Sequence, residues 1–129
     1  LCLAGGEEKI LNFFFPNQLF SSVSSLITQA PTKFTFTCLT NCSIEVISKD
    51  VIDACMEDSI PANKFMRHFL EEAYMLRIKR EADILSLSAA ERYQKILEEQ
   101  PELIRLFSVG KIAKYLGIHP NSLSRLRKF

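Results

Sequence analysis

The sequence predicts an α+β chain in which β-structure comes first and helices follow. Three observations carry that class. Residues 1–49 show short apolar runs and two-residue alternation, broken by turn signals. From about Lys49 onward the apolar residues recur at helical spacing, with capping residues at the expected ends. The last stretch, from Arg105 to Phe129, holds Arg105, Lys111, Lys114, Arg125, Arg127 and Lys128 and no acid, a charge of +6 on a body that carries −5. At 129 residues the chain has room for one ordinary domain or two small ones.

In the first part, Lys9-Ile10-Leu11-Asn12-Phe13-Phe14-Phe15 is a mostly apolar run that stops at the turn signal Pro16-Asn17. Lys33 to Cys38 sets Phe34, Phe36 and Cys38 against Thr35 and Thr37, which predicts a half-buried strand. Ser43 to Ile47 predicts another. Ser21 to Gln29, rich in Ser, is a loop or a short helix. The opening Leu1-Cys2-Leu3 lacks an initiator Met and reads like the middle of a strand, so an N-terminal part is expected to be missing.

Helical signals begin at Ser48-Lys49-Asp50, with a short helix expected to about Cys55. Pro61 suits the start of a long helix reaching about Leu85, because its missing N–H is an orphan there in any case. One seam of that helix holds Met66, Phe69, Ala73 and Leu76 and continues through Arg80, Asp83 and Leu87. A second face holds Leu70, Tyr74, Ile78, Ala82 and Leu85. Two apolar faces call for two partners, the chain's own domain and the same helix of a second subunit. The alternative is a helix buried inside a single domain. Ser88-Ala-Ala-Glu91 is a capping box that opens the next helix, and Pro101 ends it and opens a short helical turn.

From Ser108 the pattern is denser. Ser108 can cap a helix over Val109 to Leu116 with Ile112, Ala113 and Leu116 on one face. Gly117 stands where a left-handed residue ends a helix, and Ile118 plugs the turn. His119-Pro120 opens a second helix with Leu123 and Leu126 inward and Asn121, Ser122, Ser124, Arg125 and Lys128 outward. Two short helices around a Gly turn, with a small Ala113 at the crossing, form a helix-turn-helix pattern. Asn pairs with adenine and Arg with guanine in the major groove, while Ser and Lys suit phosphates. An ordinary surface hairpin would mix acids into that face.

The segment from Gly110 to Lys128, containing Ala113-Lys-Tyr-Leu-Gly-Ile-His-Pro-Asn-Ser-Leu-Ser-Arg125, resembles the DNA-reading segment of the Crp/Fnr family of transcription regulators, in particular its Bacteroidetes-type members. Upstream, Leu87 to Tyr93 is similar to the helix leading into that domain, and residues 1–49 look more loosely like the second half of its sensor. The resemblance implies three parts. Residues 1–60 would be the second half of a double-stranded β-roll, cyclic-nucleotide-binding-like sensor domain whose N-terminal part is missing. Residues 61–86 would be a dimerisation helix, and residues 87–129 a helix-turn-helix DNA-binding domain. It also implies a bacterial, cytoplasmic homodimer, joined through Met66, Phe69, Ala73, Leu76 and Arg80. This dimer would bind two-fold sites on double-stranded DNA, with RNA polymerase as a further partner. By position in the motif, Asn121, Ser124 and Arg125 fall at base contacts with Pro120 beside them, and Ser108, His119, Ser122 and Lys128 fall near phosphates.

The sequence departs from the family's cyclic-AMP cassette. There a Gly-Glu and, about ten residues on, an Arg-Ser hold the ribose and the cyclic phosphate; here Leu19-Phe20-Ser21-Ser22 and Pro31-Thr32-Lys33 take those places. Lys33 offers a point charge one position away and no bidentate fork. Ser21, Ser22, Thr32 and Lys33 therefore make a degenerate cassette; cyclic AMP is not expected and no cofactor is called for, and another small molecule, or none, sets the active state. Cys2, Cys38, Cys42 and Cys55 do not reproduce the spacing of the family's iron–sulfur branch. Cys38-x3-Cys42 lacks the spacing and second pair of a zinc site, so no metal is expected and the four thiols are expected to be buried or half-buried.

Other function classes receive little support. Only two His are present, neither near a Ser or Cys motif, and no Gly-rich phosphate loop occurs, so no enzyme is expected. No run approaches the roughly 20 apolar residues of a membrane span. The acidic Glu7-Glu8 stands where a signal peptide would be basic and then apolar. The remaining rival is a ligand-sensing or protein-interaction module whose helix-turn-helix does not read DNA.

Overall fold

The computed structural model describes residues 8–127, and the expectations for Leu1-Cys2-Leu3 and for Lys128 lie outside them. Seven helices follow in order among the described residues: α1 Val23–Thr28, α2 Lys49–Asp58, α3 Ile60–Ser86, α4 Ala89–Glu99, α5 Pro101–Leu106, α6 Val109–Leu116 and α7 Pro120–Leu126. Among the described residues helix makes up 62% and strand 1%, with no sheet, and this corrects the α+β expectation and the β-roll sensor with it. The alternation over Lys33 to Ile47 is present in the sequence, but every residue from 30 to 48 is exposed, Val46 at 88%. Alternation specifies which side chains would share a face. A strand forms only where a second strand takes up its N–H and C=O groups, and no ladder does so here.

Two compact units make up the chain, residues 21–78 and residues 8–20 with 79–127. In the first, α1 is a single six-residue stretch ended by Gln29 in the left-handed conformation (φ 57°). Its Thr28 hydroxyl donates back to the Ser24 carbonyl at 2.8 Å. Helix α2 begins after Ser48 and carries an i,i+4 pair between Lys49 and Asp53. Ser59 separates α2 from α3 and caps α3, its Oγ accepting from the Ala62 N–H at 3.2 Å. Pro61 takes the second helical position, where no donor is lost. No residue of this unit is buried. Along the part of α3 that lies in it, Met66, Phe69 and Ala73 are half-buried, whereas Phe65, Tyr74 and Met75 are about 60% exposed.

The second unit holds the core: Phe13, Tyr93, Ile96, Leu103, Ile112, Ala113, Leu116 and Leu123. Leu103 is fully buried and Leu123 is 1% exposed. Removing each such side chain from water contributes on the order of 1.5–3 kcal/mol. The run Lys9 to Phe15, expected as a strand, instead lays Phe13 into this helical core. Its ring stacks on Phe107 with centroids 4.3 Å apart and tilts against Tyr115 at 5.2 Å. The Ile10 N–H donates to the Lys114 carbonyl at 3.3 Å, so the segment is tied along α6 by backbone as well as by side chain.

Local signals set the helix ends. At α4 both bonds of the capping box are made: the Glu91 N–H donates to Ser88 Oγ, and the Ser88 N–H donates to the Glu91 carboxylate at 2.7 Å. Pro101 is the first residue of α5, and Ser108 Oγ accepts from the Lys111 N–H at the start of α6. Across the α3–α4 joint, Lys95 pairs with Asp83 at 2.5 Å, both partly shielded from solvent.

Candidate nucleic-acid interface

Helices α6 and α7 are joined by the three residues Gly117, Ile118 and His119. The sharpness of the joint comes from Gly117, at φ 73° and ψ 31°. From there the Gly117 and Ile118 N–H groups both reach the Ala113 carbonyl, the latter at 3.0 Å. The six-to-one bond from Ile118 is the signature of a helix stop made by a left-handed residue. A side chain at 117 would meet no atom within 4 Å, so conformation, and not space, selects glycine there. His119 then caps α7, its Nδ1 accepting from the Asn121 N–H at 3.2 Å, and Pro120 begins the helix.

Only seven residues long, α7 is divided cleanly between two sides. Leu123 is in the core and Leu126 packs against it, while Asn121, Ser124 and Arg125 are exposed. Those three stand at i, i+3 and i+4 and therefore on one face. Pro120 is exposed beside them, Ser122 is half-buried, and Ser108 and His119 are exposed at the N-termini of α6 and α7. The structure thus brings Asn121, Ser124 and Arg125 to one solvent-facing strip. Lys128 lies outside the described residues. Arg127 closes α7 as its C-cap with its side chain exposed, adding to the positive charge at that end.

Two arginines outside the motif hold α6 in place. Arg80 of α3 donates to the Tyr115 carbonyl at 2.8 Å and to the Ile10 carbonyl at 3.3 Å, and its guanidinium lies 4.1 Å from the centre of the Tyr115 ring. Arg92 of α4 donates to the Leu116 carbonyl at 3.3 Å and to the Leu87 carbonyl at 2.8 Å. The last carbonyls of a helix have no partner within it and carry its negative end, so two cations satisfy the end of α6 that leads into the turn. Arg80, one of the residues of the expected intersubunit seam, finds partners within the chain in α6 and the 8–15 segment, 35 and 70 residues away, which no periodicity could reveal.

Lys114 pairs with Glu8 at 2.5 Å, and that ion pair holds the Glu8 carboxyl below its usual value. The positions of the expected ligand cassette are spread around α1. Ser21 and Ser22 lead into it, with Ser22 Oγ 3.3 Å from Ser25 Oγ, while Thr32 and Lys33 follow it, with Thr32 Oγ1 accepting from the Phe34 N–H at 3.0 Å. No sheet frames them. Among the described residues no cluster of three or more His, Cys, Asp and Glu could hold a metal ion, and no helix is long and apolar enough to cross a membrane. Compared with family models, curated proteins and solved structures, the chain matches none.

Proposed function

We propose that this chain is a sequence-specific DNA-binding protein, a cytoplasmic transcription regulator that reads the major groove with α7. The observation that supports this most directly is the exposed strip of Asn121, Ser124 and Arg125 on a helix whose other side is fixed in the core, set in a stretch without any acid. Arg125 suits the O6 and N7 of guanine, Asn121 suits adenine, and Ser108, His119, Ser122 and Lys128 supply phosphate contacts. The likeness of Gly110 to Lys128 to the Crp/Fnr reading segment supports the same reading. That likeness bears on the helix-turn-helix, and no cyclic-nucleotide sensor is part of the proposal.

The protein acts as a homodimer in this reading, paired along α3 through Met66, Phe69, Ala73 and Leu76, and contacts RNA polymerase on the promoter. A two-fold dimer presents two α7 helices to half-sites about one helical turn, roughly 34 Å, apart. The test is selection of the full chain on random duplex DNA at low salt, for the native protein and for Arg125→Ala. A two-fold motif that loses one base preference in the variant supports the reading. A folded protein that enriches no sequence at low salt overturns it and leaves the hairpin as a protein-contact surface.

A further inference from the structure

Residues 33–47 divide by parity. The even positions Phe34, Phe36, Cys38, Cys42, Ile44 and Val46 are apolar, with Thr40 the exception. The odd positions Lys33, Thr35, Thr37, Asn41, Ser43 and Glu45 are polar, with Leu39 and Ile47 the exceptions. That is the two-residue period of a strand with one apolar side. The fold leaves both sides open: every residue from 30 to 48 is exposed, Ile44 at 51% and Val46 at 88%. Cys38 and Cys42, expected to be buried, lie open on this stretch, and Cys55 on α2 is exposed as well. Among the described residues no ladder takes up the backbone groups here. Residues 34–44 contain no charge, no Pro and no Gly, and an exposed stretch of that kind is a template for another strand. Two opposite charges frame it at equal distances from Leu39, Lys33 before and Glu45 after.

We propose that residues 33–45 pair antiparallel with the same residues of a second copy of this chain, about a two-fold axis at Leu39. Only registers that set even positions against even ones keep the apolar sides together. Among these, the register centred on Leu39 sets Lys33 of each copy against Glu45 of the other. It also sets Phe34 against Ile44 and Phe36 against Cys42 on the apolar side, with Thr35 against Ser43 and Thr37 against Asn41 on the polar one. Opposite charges and aromatic–aliphatic pairs directly across a ladder favour the pairing. A parallel ladder in register would instead stack Lys33 on Lys33 and Glu45 on Glu45. The bend at Leu39 and Thr40 falls at the centre, so each arm pairs with the opposite arm of the other copy. The interface is isologous and closes with two copies. Its ladder lies between chains and is independent of the pairing along α3. Two strands alone make a weak ladder, so the contact is reversible and grows with protein concentration.

The test uses the full chain with Cys2, Cys38, Cys42 and Cys55 replaced by Ala and one new cysteine introduced at a time. Each variant is oxidised with copper–phenanthroline at high micromolar concentration, and linked dimer is measured on a non-reducing gel. In this register position 39 faces its own copy, at the roughly 4.5–5.5 Å between Cα atoms that a disulfide spans. Position 35 faces position 43 and lies roughly 27 Å along the ladder from its own copy. Leu39→Cys should therefore link at least about tenfold faster than Thr35→Cys or Val46→Cys, although Val46 is the most exposed of the three. Equal rates at the three positions, or fast linking at 35 and 46 as a parallel ladder would give, overturns the proposal. A second measurement checks the charges. In the Leu39→Cys background, a Lys33→Glu chain mixed with a Glu45→Lys chain should yield more mixed dimer than the half that random pairing gives, because either chain with itself sets like charges face to face. A mixed fraction of one half overturns the register.

Discussion

Leu123 and Arg125 are two residues apart on α7 and face opposite ways, one 1% exposed in the core and the other open to solvent. Substitutions at the two positions should therefore fail in different measurements. Leu123→Ala is expected to cost about 2–5 kcal/mol of stability, seen in urea melts. Arg125→Ala should leave the melt unchanged and lose about 1–3 kcal/mol of discrimination at one base pair, seen by titrating matched and mismatched duplexes. The two glycines make a similar contrast. Gly117→Ala forces a side chain into a left-handed backbone (φ 73°) and should destabilise by about 1–2 kcal/mol. Gly110 lies inside α6, and a β-carbon there meets nothing closer than Ser108 Oγ at 4.0 Å. Gly110→Ala should raise the melting temperature, since glycine is the weaker helix former by roughly 1 kcal/mol. Residue chemistry of this kind was legible in the sequence wherever a backbone rule selects the residue, as at Gly117. Exposure of Cys38 and Cys42 was not, because a free cysteine says nothing of its burial until the surrounding chain is placed.

Helices were legible at their ends. Ser88-x-x-Glu91, Pro101, Ser108 and Gly117 each act within one turn of where they stand, and the structure shows each doing so. The β-structure expected before Lys49 failed because a strand depends on a neighbour distant in sequence, and Phe34-Thr35-Phe36 cannot announce whether one exists. The same limit hid Phe13 in the helical core, and Arg80 and Arg92 on the end of α6. At this scale the α4 capping box makes a pH prediction. Its hydrogen bonds with Ser88 hold the Glu91 carboxyl below its ordinary value of 4.5. A carboxyl whose folded value is depressed contributes stability above the unfolded value and loses it as pH falls through the folded one. Glu91→Gln should thus be less stable than the native chain at neutral pH, and the difference should shrink once pH falls below about 4.5. Melts at pH 7 and pH 3 measure it, and a gap that stays constant would show that the carboxylate plays no part in the cap.

Across the whole molecule, burial is divided unevenly. All eight core residues belong to the unit of residues 8–20 and 79–127, and residues 21–78 bury none. Ordering a residue costs on the order of 1–2 kcal/mol of backbone entropy, and only burial or pairing offsets it. Amide hydrogen exchange should report this directly, since local opening costs least where few apolar contacts are broken. The amides of α5 and α6 should open only with global unfolding, and those of α1 and α2 should exchange orders of magnitude sooner. For residues 60–78 the outcome depends on the proposed pairing along α3. Met66, Phe69 and Ala73 are half-buried and Leu76 is 48% exposed in the single chain, so a second copy would remove their remaining surface from water. Mass action then makes protection of this stretch rise with protein concentration, while that of α5 and α6 rises no further than global stability does. Exchange measured at low and high micromolar protein separates the cases. Protection of residues 60–78 that does not change with concentration would place the dimer contact elsewhere on the chain, or leave a monomer reading a single half-site.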